Sequence, residues 1–367
     1  MTTRQLLSRR FSRANRKPQR ALTSRGRDVQ RQIVREISCG TMTMENSCCP
    51  CGEEKFDRLA ERDVFALPIG TVICKSCGLI RSNPRPTPET YARYYQEYMF
   101  RDLYSRTNHA REETAVDKFI EHQRKRGQEI LDVLAPFLPS GRPLNVLEVG
   151  SGPGGLMIAF QKQGHRCVGI DLSDQYIETG HSLGLDLRVG TLQDFPDLRE
   201  MDVILTNHYL EHVSDLNREI EEFGKRLRAD TGLLYVGVPG FFSLEHMLHH
   251  DFLELIQFSH TFIYDLASLD VTLGRFGFRR EFGNEEISSV YRNSGKALAE
   301  PAPDEVTQNI EAKKDFLRRM ERKRRLQEPY RCLVRSLDRL LGIDRADKFK
   351  RFTRNLLKRN NGIRNRC

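Results

Sequence analysis

Leu144-Asn145-Val146-Leu147-Glu148-Val149-Gly150-Ser151-Gly152-Pro153-Gly154-Gly155 is the stretch whose reading decides the fold. An apolar run ends abruptly in a glycine-rich turn, and a helical pattern follows. A second apolar run, Cys167 to Leu172, carries Gly169-Ile170-Asp171, with Asp171 lying 21 residues after Gly150. In an open parallel sheet a ligand sits beyond the carboxyl ends of the strands, where small residues let it approach the backbone and a carboxylate accepts ribose hydroxyls. An adenosine-containing ligand is expected. Further strand-like runs occur at Leu185 to Val189, Asp202 to Thr206 and Leu233 to Val238, with amphipathic stretches between them, and residues 111 to 137 read as a helix leading inward. The alternation predicts an α/β fold with a parallel, Rossmann-like sheet and helices on both faces.

The residue before the turn narrows the ligand. Glu148 leads Gly150-x-Gly152-x-Gly154, and an anionic side chain beside the turn repels a pyrophosphate. It suits a ligand bearing a sulfonium and an ammonium group, as S-adenosylmethionine does.

At this point residues 128 to 295 resemble a class I S-adenosylmethionine-dependent methyltransferase. The resemblance implies that Glu148, Gly150, Ser151, Gly152 and Gly154 line the methionine part of the cofactor. Asp171 would take the ribose and Leu172 the adenine, while Gln193-Asp194-Phe195 matches the segment whose acid meets the adenine amino group. The run Asn207-His208-Tyr209-Leu210-Glu211-His212 matches the motif at the end of the fourth strand, close to the transferable methyl, with Asn207 toward the cofactor. Structural roles stand beside these: Asp194 as a helix cap, His212 as a packing residue.

Upstream, Cys48-Cys49-Pro50-Cys51-Gly52 and Cys74-Lys75-Ser76-Cys77-Gly78 form two Cys-x-x-Cys-Gly knuckles. Two thiolates three positions apart can grip one metal, and two such pairs complete a closed tetrahedral zinc site of structural type. The expected ligands are Cys48, Cys51, Cys74 and Cys77, with Cys49 a spare sulfur able to replace a neighbour. A redox dithiol is the competing reading.

The order of knuckles, then Leu79 to Pro86, then a tyrosine cluster (Tyr91, Tyr94, Tyr95, Tyr98, Tyr104), then the glycine turn, is similar to bacterial methyltransferases of surface glycans and sugar C-methyltransferases. That likeness implies a histidine base after the fifth strand. His260, in Gln257-Phe258-Ser259-His260, stands there, with His208 the second candidate. The flanking tyrosine and glutamate of those enzymes are replaced by Gln257 and Ser259, which leaves O-methylation of a hydroxyl beside C-methylation of a ketosugar carbon. The expected acceptor is a small molecule: a sugar, a nucleotide sugar or a glycan precursor. An RNA methyltransferase and a non-catalytic scaffold are the alternatives. Asn207-His208-Tyr209-Leu210 departs from the motif of base amino methylation. His246, His249 and His250 offer a second set of metal-ligand types but lack clear carboxylate partners.

Charge sets the organisation. The 367 residues carry 59 Lys and Arg against 50 Asp and Glu, net +9. Residues 1 to 40 hold 11 basic and 2 acidic side chains, and residues 311 to 367 hold 20 and 7, so the body between is acidic. The expected division is a disordered basic arm (1–45), a zinc ribbon with a Tyr-rich segment (46–105), a methyltransferase domain (106–300) and a basic helical extension (301–367). Basic ends suit an anionic membrane or nucleic acid. No run approaches the ~20 apolar residues of a spanning helix, and a cytoplasmic, optionally membrane-peripheral protein is expected. A mitochondrial leader, or a start at Met42 or Met44, are the other readings of the N-terminus.

Overall fold

The computed structural model describes residues 7–97, 99–104, 113–246 and 250–341. In chain order its helices and strands are α1 (Ser24–Cys39), β1 (Met44–Glu45), β2 (Phe56–Ala60), β3 (Thr71–Cys74), β4 (Ile80–Ser82), β5 (Arg85–Pro86), α2 (Pro88–Gln96), α3 (Met99–Tyr104), α4 (Glu113–Leu134), β6 (Asn145–Val149), α5 (Met157–Lys162), β7 (Arg166–Asp171), α6 (Asp174–Ser182), β8 (Leu187–Val189), β9 (Val203–Asn207), α7 (Leu216–Arg226), β10 (Leu233–Gly237), β11 (Phe262–Ile263), α8 (Leu266–Gly274), β12 (Phe278–Gly283), β13 (Ser288–Asn293) and α9 (Pro303–Leu341).

Among the described residues the central sheet has the order β12-β13-β10-β9-β6-β7-β8. The five strands from β6 to β10 are parallel to their neighbours, whereas β13 runs antiparallel between β10 and β12. The five strand runs read from the sequence appear within two residues of their expected ends. The Rossmann-like fold expected from them is the one observed, with an antiparallel edge added. Strand alternation sends the two sets of side chains to opposite faces. Val146, Leu205 and Tyr235 pack with Ile130, Phe160 and Ile177 from α4, α5 and α6. Leu147, Ile204 and Leu234 pack with Ile220 and Phe223 of α7 and Leu269 of α8.

A second sheet, β11-β4-β3-β2, forms the ribbon. Its edge strand β11 comes from the chain after β10, paired antiparallel to β4 through Phe262–Arg81 and Ile263–Ile80. The ribbon therefore shares a sheet with the segment bearing His260. Serine 82 strengthens this seam, donating from its hydroxyl to the His260 carbonyl at 2.7 Å and from its N–H to the Thr261 carbonyl at 2.8 Å.

The N-terminal arm, expected to be disordered, is ordered from residue 7 onward. Thr23 caps α1 by accepting from the Gly26 N–H at 3.0 Å, and Gly40 ends the helix with φ +80°. Phe11 and Ile33 are fully buried in a third core with Phe241, Phe258 and, from α9, Phe316 and Met320. The apolar residues needed for order were present; their partners lie from about 50 residues away, as at Leu59 and Val64, to more than 200, as at Phe241, which no local pattern reveals. Charge holds the same seam. Arg10 pairs with Asp251 at 2.6 Å and Glu321 at 2.9 Å, Arg20 with Glu254 at 2.5 Å, and Lys314 with Asp57 at 2.9 Å. The helical extension is observed as α9, but the apolar stripe Leu333, Val334, Leu337, Leu340 and Leu341 lies outside the residues whose side chains are described, as do Tyr98 and His249. No described helix is long and apolar enough to cross a membrane.

Candidate cofactor cleft, histidine cluster and cysteine site

The glycine turn follows β6 and faces the end of β7. Gly150 and Gly152 adopt φ +72° and +54°, the left-handed region that a Cβ disfavours. A Cβ on Gly150 would strike the Tyr209 ring at 2.6 Å, so that ring lies directly on the turn. At Gly152 a Cβ would meet Gln123, Phe119 and Tyr176 at 3.7–3.9 Å, so these three side chains flank the turn on that side. Asp171 borders the turn. One of its oxygens accepts from the Gly152 N–H at 2.8 Å and the other from the Ser173 N–H at 2.9 Å. Burial raises its carboxyl above the ordinary range against these hydrogen bonds. Leu172 is 73% exposed beside it, an apolar side chain left facing outward.

Glu148 lies under the turn, 1% exposed, and its Oε2 has no hydrogen-bond partner. Burial, and then Asp171, hold its carboxyl well above the usual carboxylate range. The anionic wall read from the sequence is thus a buried acid whose charged form burial disfavours and a neighbouring cation would favour. Such an orphaned acceptor, a left-handed glycine turn and a neighbouring Asp171 fit a cationic adenosyl ligand. Ser151 is fully buried, its hydroxyl turned to the Gly152 carbonyl. Gln193 reaches Glu219 at 3.4 Å, and Glu219 accepts from the Tyr209 hydroxyl at 2.8 Å. Asp194 is exposed and caps its own turn, accepting from the Thr191 N–H and hydroxyl at 2.8 and 2.7 Å. The capping role is what the structure shows for it. Asn207 ends β9 with its Oδ1 over Gly237.

Sequence reasoning named Tyr209 only within the run at the end of the fourth strand and missed the neighbouring Phe119, Gln123, Tyr176 and Glu219. One signal was available: Glu219 interrupts the apolar stripe Leu216, Ile220, Phe223 of α7, and an acid there must find a partner.

Beyond β9 the chain turns at His208, with φ +55°, and delivers Glu211 and His212 beside His260. Glu211 is 2% exposed. Its Oε1 lies 3.2 Å from His208 Nδ1 and 3.8 Å from His212 Nε2, while its Oε2 is unpartnered. Burial alone would raise this carboxyl, but His212 and His208 outweigh it and hold it near about 2. The same hydrogen bond raises His208, whose side chain is 65% exposed. His260 is different. Its Nδ1 donates to the Leu255 carbonyl at 3.0 Å, and burial, then His212, lower it to about 3. A buried histidine disfavoured as a cation is a weaker proton acceptor than the exposed His208, which weighs toward His208 of the two expected bases. Of the tyrosines, Tyr91 and Tyr94 pack in the core against Phe258, and Tyr95 places its hydroxyl 3.2 Å from His212 Nδ1.

The cysteines settle the spare sulfur. Cys49, Cys51, Cys74 and Cys77 converge, with Sγ pairs at 3.5 Å (Cys49–Cys77) and 3.6 Å (Cys51–Cys74). Tetrahedral zinc–thiolate bonds of about 2.3 Å would set sulfurs ~3.8 Å apart, so the set fits that ion. Cys48, expected as a ligand, is exposed and points toward Glu54. The reason is local: the Gly52 N–H bonds the Cys49 carbonyl at 2.7 Å and Gly52 takes φ +85°, a turn tight enough to bring the sulfurs of residues 49 and 51 to one side.

Residues 120–281 match the family model described as a methyltransferase domain. The chain is 31% identical over 106 residues to the ubiquinone biosynthesis O-methyltransferase of Pelagibacter ubique, a span of 26% of this chain and 44% of that protein. It is 24% identical over 145 residues to the trans-aconitate 2-methyltransferase of Mycolicibacterium gilvum, covering 39% of this chain and 56% of that one. The chain thus matches about half the length of these curated relatives. Among solved structures, the 1,6-didemethyltoxoflavin-N1-methyltransferase of Burkholderia thailandensis aligns over 62% of this chain and 96% of its own at 15% identity, with a TM-score of 0.41. Residues 120–281, which carry the parallel strands of the Rossmann-like sheet and the glycine turn, are thus the part of the chain that matches a methyltransferase domain.

Proposed function

We propose that the chain binds S-adenosylmethionine at the Gly150–Gly154 turn and transfers its methyl group to an oxygen of a small molecule held near His208 and Glu211. The observation that carries this reading is the buried, unpartnered Oε2 of Glu148 under the glycine turn, next to Asp171 and the exposed Leu172. The cofactor supplies a methyl carbon already activated by its sulfonium, so the protein mainly positions the acceptor and receives its proton. Asp171 keeps lone pairs for ribose hydroxyls while its N–H partners orient it. Glu148 offers its unpartnered oxygen toward the cationic end. His208 is the base, its Nδ1 turned to Glu211 and its exposed side chain leaving Nε2 for the acceptor. Ubiquinone and trans-aconitate, not a sugar, stand in the relatives' names, and the name of the first supports oxygen as the methylated atom. A sugar hydroxyl remains within the same chemistry; a ketosugar carbon lacks the base placement where His208 is the base instead of His260.

A structural zinc at Cys49, Cys51, Cys74 and Cys77 belongs to the same reading, holding the ribbon. Arg10, Arg20 and Lys314 spend their charge on acids of the same chain, which favours a small acceptor over RNA. Calorimetry with S-adenosylmethionine is the test: saturable binding that is lost in Asp171→Ala is expected, and no binding by the folded chain overturns the reading.

A further inference from the structure

We infer that Glu211, His212 and His260 form a second metal site, distinct from the cysteine site, that binds a divalent first-row cation and through it an oxygen of the methyl acceptor. One atom of each residue lies within 4.8 Å of the others. Backbone carbonyls orient the two histidine rings. His260 Nδ1 faces the Leu255 carbonyl at 3.0 Å and His212 Nδ1 the Ser259 carbonyl at 3.0 Å. A carbonyl only accepts, so an Nδ1–H directed at it leaves the Nε2 lone pair for a metal in each ring, the arrangement that orients metal-binding imidazoles; the Tyr95 hydroxyl, 3.2 Å from His212 Nδ1, then serves as a further acceptor there. Glu211 brings the independent observation: its Oε2 is buried without a hydrogen-bond partner, while His208 holds Oε1. A carboxylate at 2% exposure with an unused oxygen between two imidazole lone pairs is costly unless something positive completes it.

The donor set decides the ion class. Two imidazoles and one carboxylate suit zinc, manganese, iron or cobalt more than calcium, and three protein ligands leave coordination positions open. Metal–ligand bonds of about 2.0–2.2 Å require the ligand atoms to draw in by roughly 1 Å, within reach of side-chain rotations. Access comes from one side. Glu211 and His260 are covered, but the His212 side chain is 27% exposed and His208 beside it 65%. Tyr209, two residues before Glu211, touches Gly150, so an oxygen bound at the open positions lies near the cofactor turn. The inference deepens the proposed function and rests on it for the identity of that oxygen, but not for the metal itself.

The probe is Mn²⁺, which the thiolates of the cysteine site disfavour. Binding to the whole chain is followed by loss of the free-ion electron paramagnetic resonance signal, and the bound ion is examined by pulsed measurement of nitrogen coupling. One Mn²⁺ per chain with imidazole nitrogen coupling is expected, weakened at least tenfold in Glu211→Gln and His260→Gln while S-adenosylmethionine affinity persists. The unsubstituted protein decides the matter if a variant fails to fold. No bound Mn²⁺, or bound Mn²⁺ without nitrogen coupling, in a chain that binds S-adenosylmethionine overturns the site and leaves the proposed function standing. Imidazole-coupled Mn²⁺ in a chain that does not bind S-adenosylmethionine upholds the site and removes the proposed function instead.

Discussion

Glu148 shows how far one side chain's environment governs its chemistry. Buried and unpartnered on Oε2, its carboxyl is raised well above the carboxylate range, so in the free protein the proton is retained to unusually high pH. A cationic ligand must displace that proton. Affinity for S-adenosylmethionine should therefore increase as pH rises from 5 to 8, and Glu148→Gln should flatten the dependence as well as weaken binding; calorimetry across pH checks both. The cysteines make a second residue-scale case. Cys49→Ser should lose the metal and destabilise the ribbon, whereas Cys48→Ser, at an exposed sulfur, should change stability by no more than about 0.5 kcal/mol. Zinc content and urea midpoints of the two variants distinguish them, and equal zinc loss would restore Cys48 as a ligand. His208→Ala should lower turnover by roughly 10²-fold or more with cofactor affinity retained, as loss of a general base does.

At the scale of elements, the ribbon and the methyltransferase sheet are tied through α9 and α7. Lys313 of α9 is fully buried, donates to the Gly78 carbonyl of the second knuckle at 2.8 Å and pairs with Asp265, the cap of α8, at 2.5 Å. Asn217 of α7 donates to the Pro50 carbonyl of the first knuckle at 2.9 Å. Removing one member of a buried pair strands the other charge. Lys313→Ala should cost about 3–5 kcal/mol in denaturant unfolding. A loss below about 1 kcal/mol would show that α9 does not anchor the knuckle. The strands, turn and α7 were readable because each has a period or a breaker of its own. The β11–β4 pairing was not, since two-residue strands far apart in the chain leave no local pattern.

For the whole molecule, the basic ends are structural parts as far as they are described. Deleting residues 1–40 removes Phe11, Val29 and Ile33 from the third core, a loss of about 5 kcal/mol or more at 1.5–3 kcal/mol per buried side chain. A disordered arm would predict no change in thermal unfolding, so the same measurement decides between them. The net charge of +9 is then a sum in which an acidic body and basic ends neutralise one another across contacts such as Arg10–Asp251 and Lys314–Asp57.

The glycine turn, Asp171 and the run of parallel strands follow from the chain alone, because a strand, a tight turn and the next strand are built from neighbouring residues whose spacing records the geometry. The convergence of Cys49, and not Cys48, with Cys51, Cys74 and Cys77, the burial that lowers His260 and the meeting of Glu211 with two histidines belong to the tertiary structure. Each depends on burial or on partners brought from elsewhere in the chain: a second knuckle that meets Cys49 and Cys51, an interior that closes over His260, and a strand after β10 that crosses into the ribbon sheet. Desolvation and long-range pairing have no period, and only the folded chain sets them.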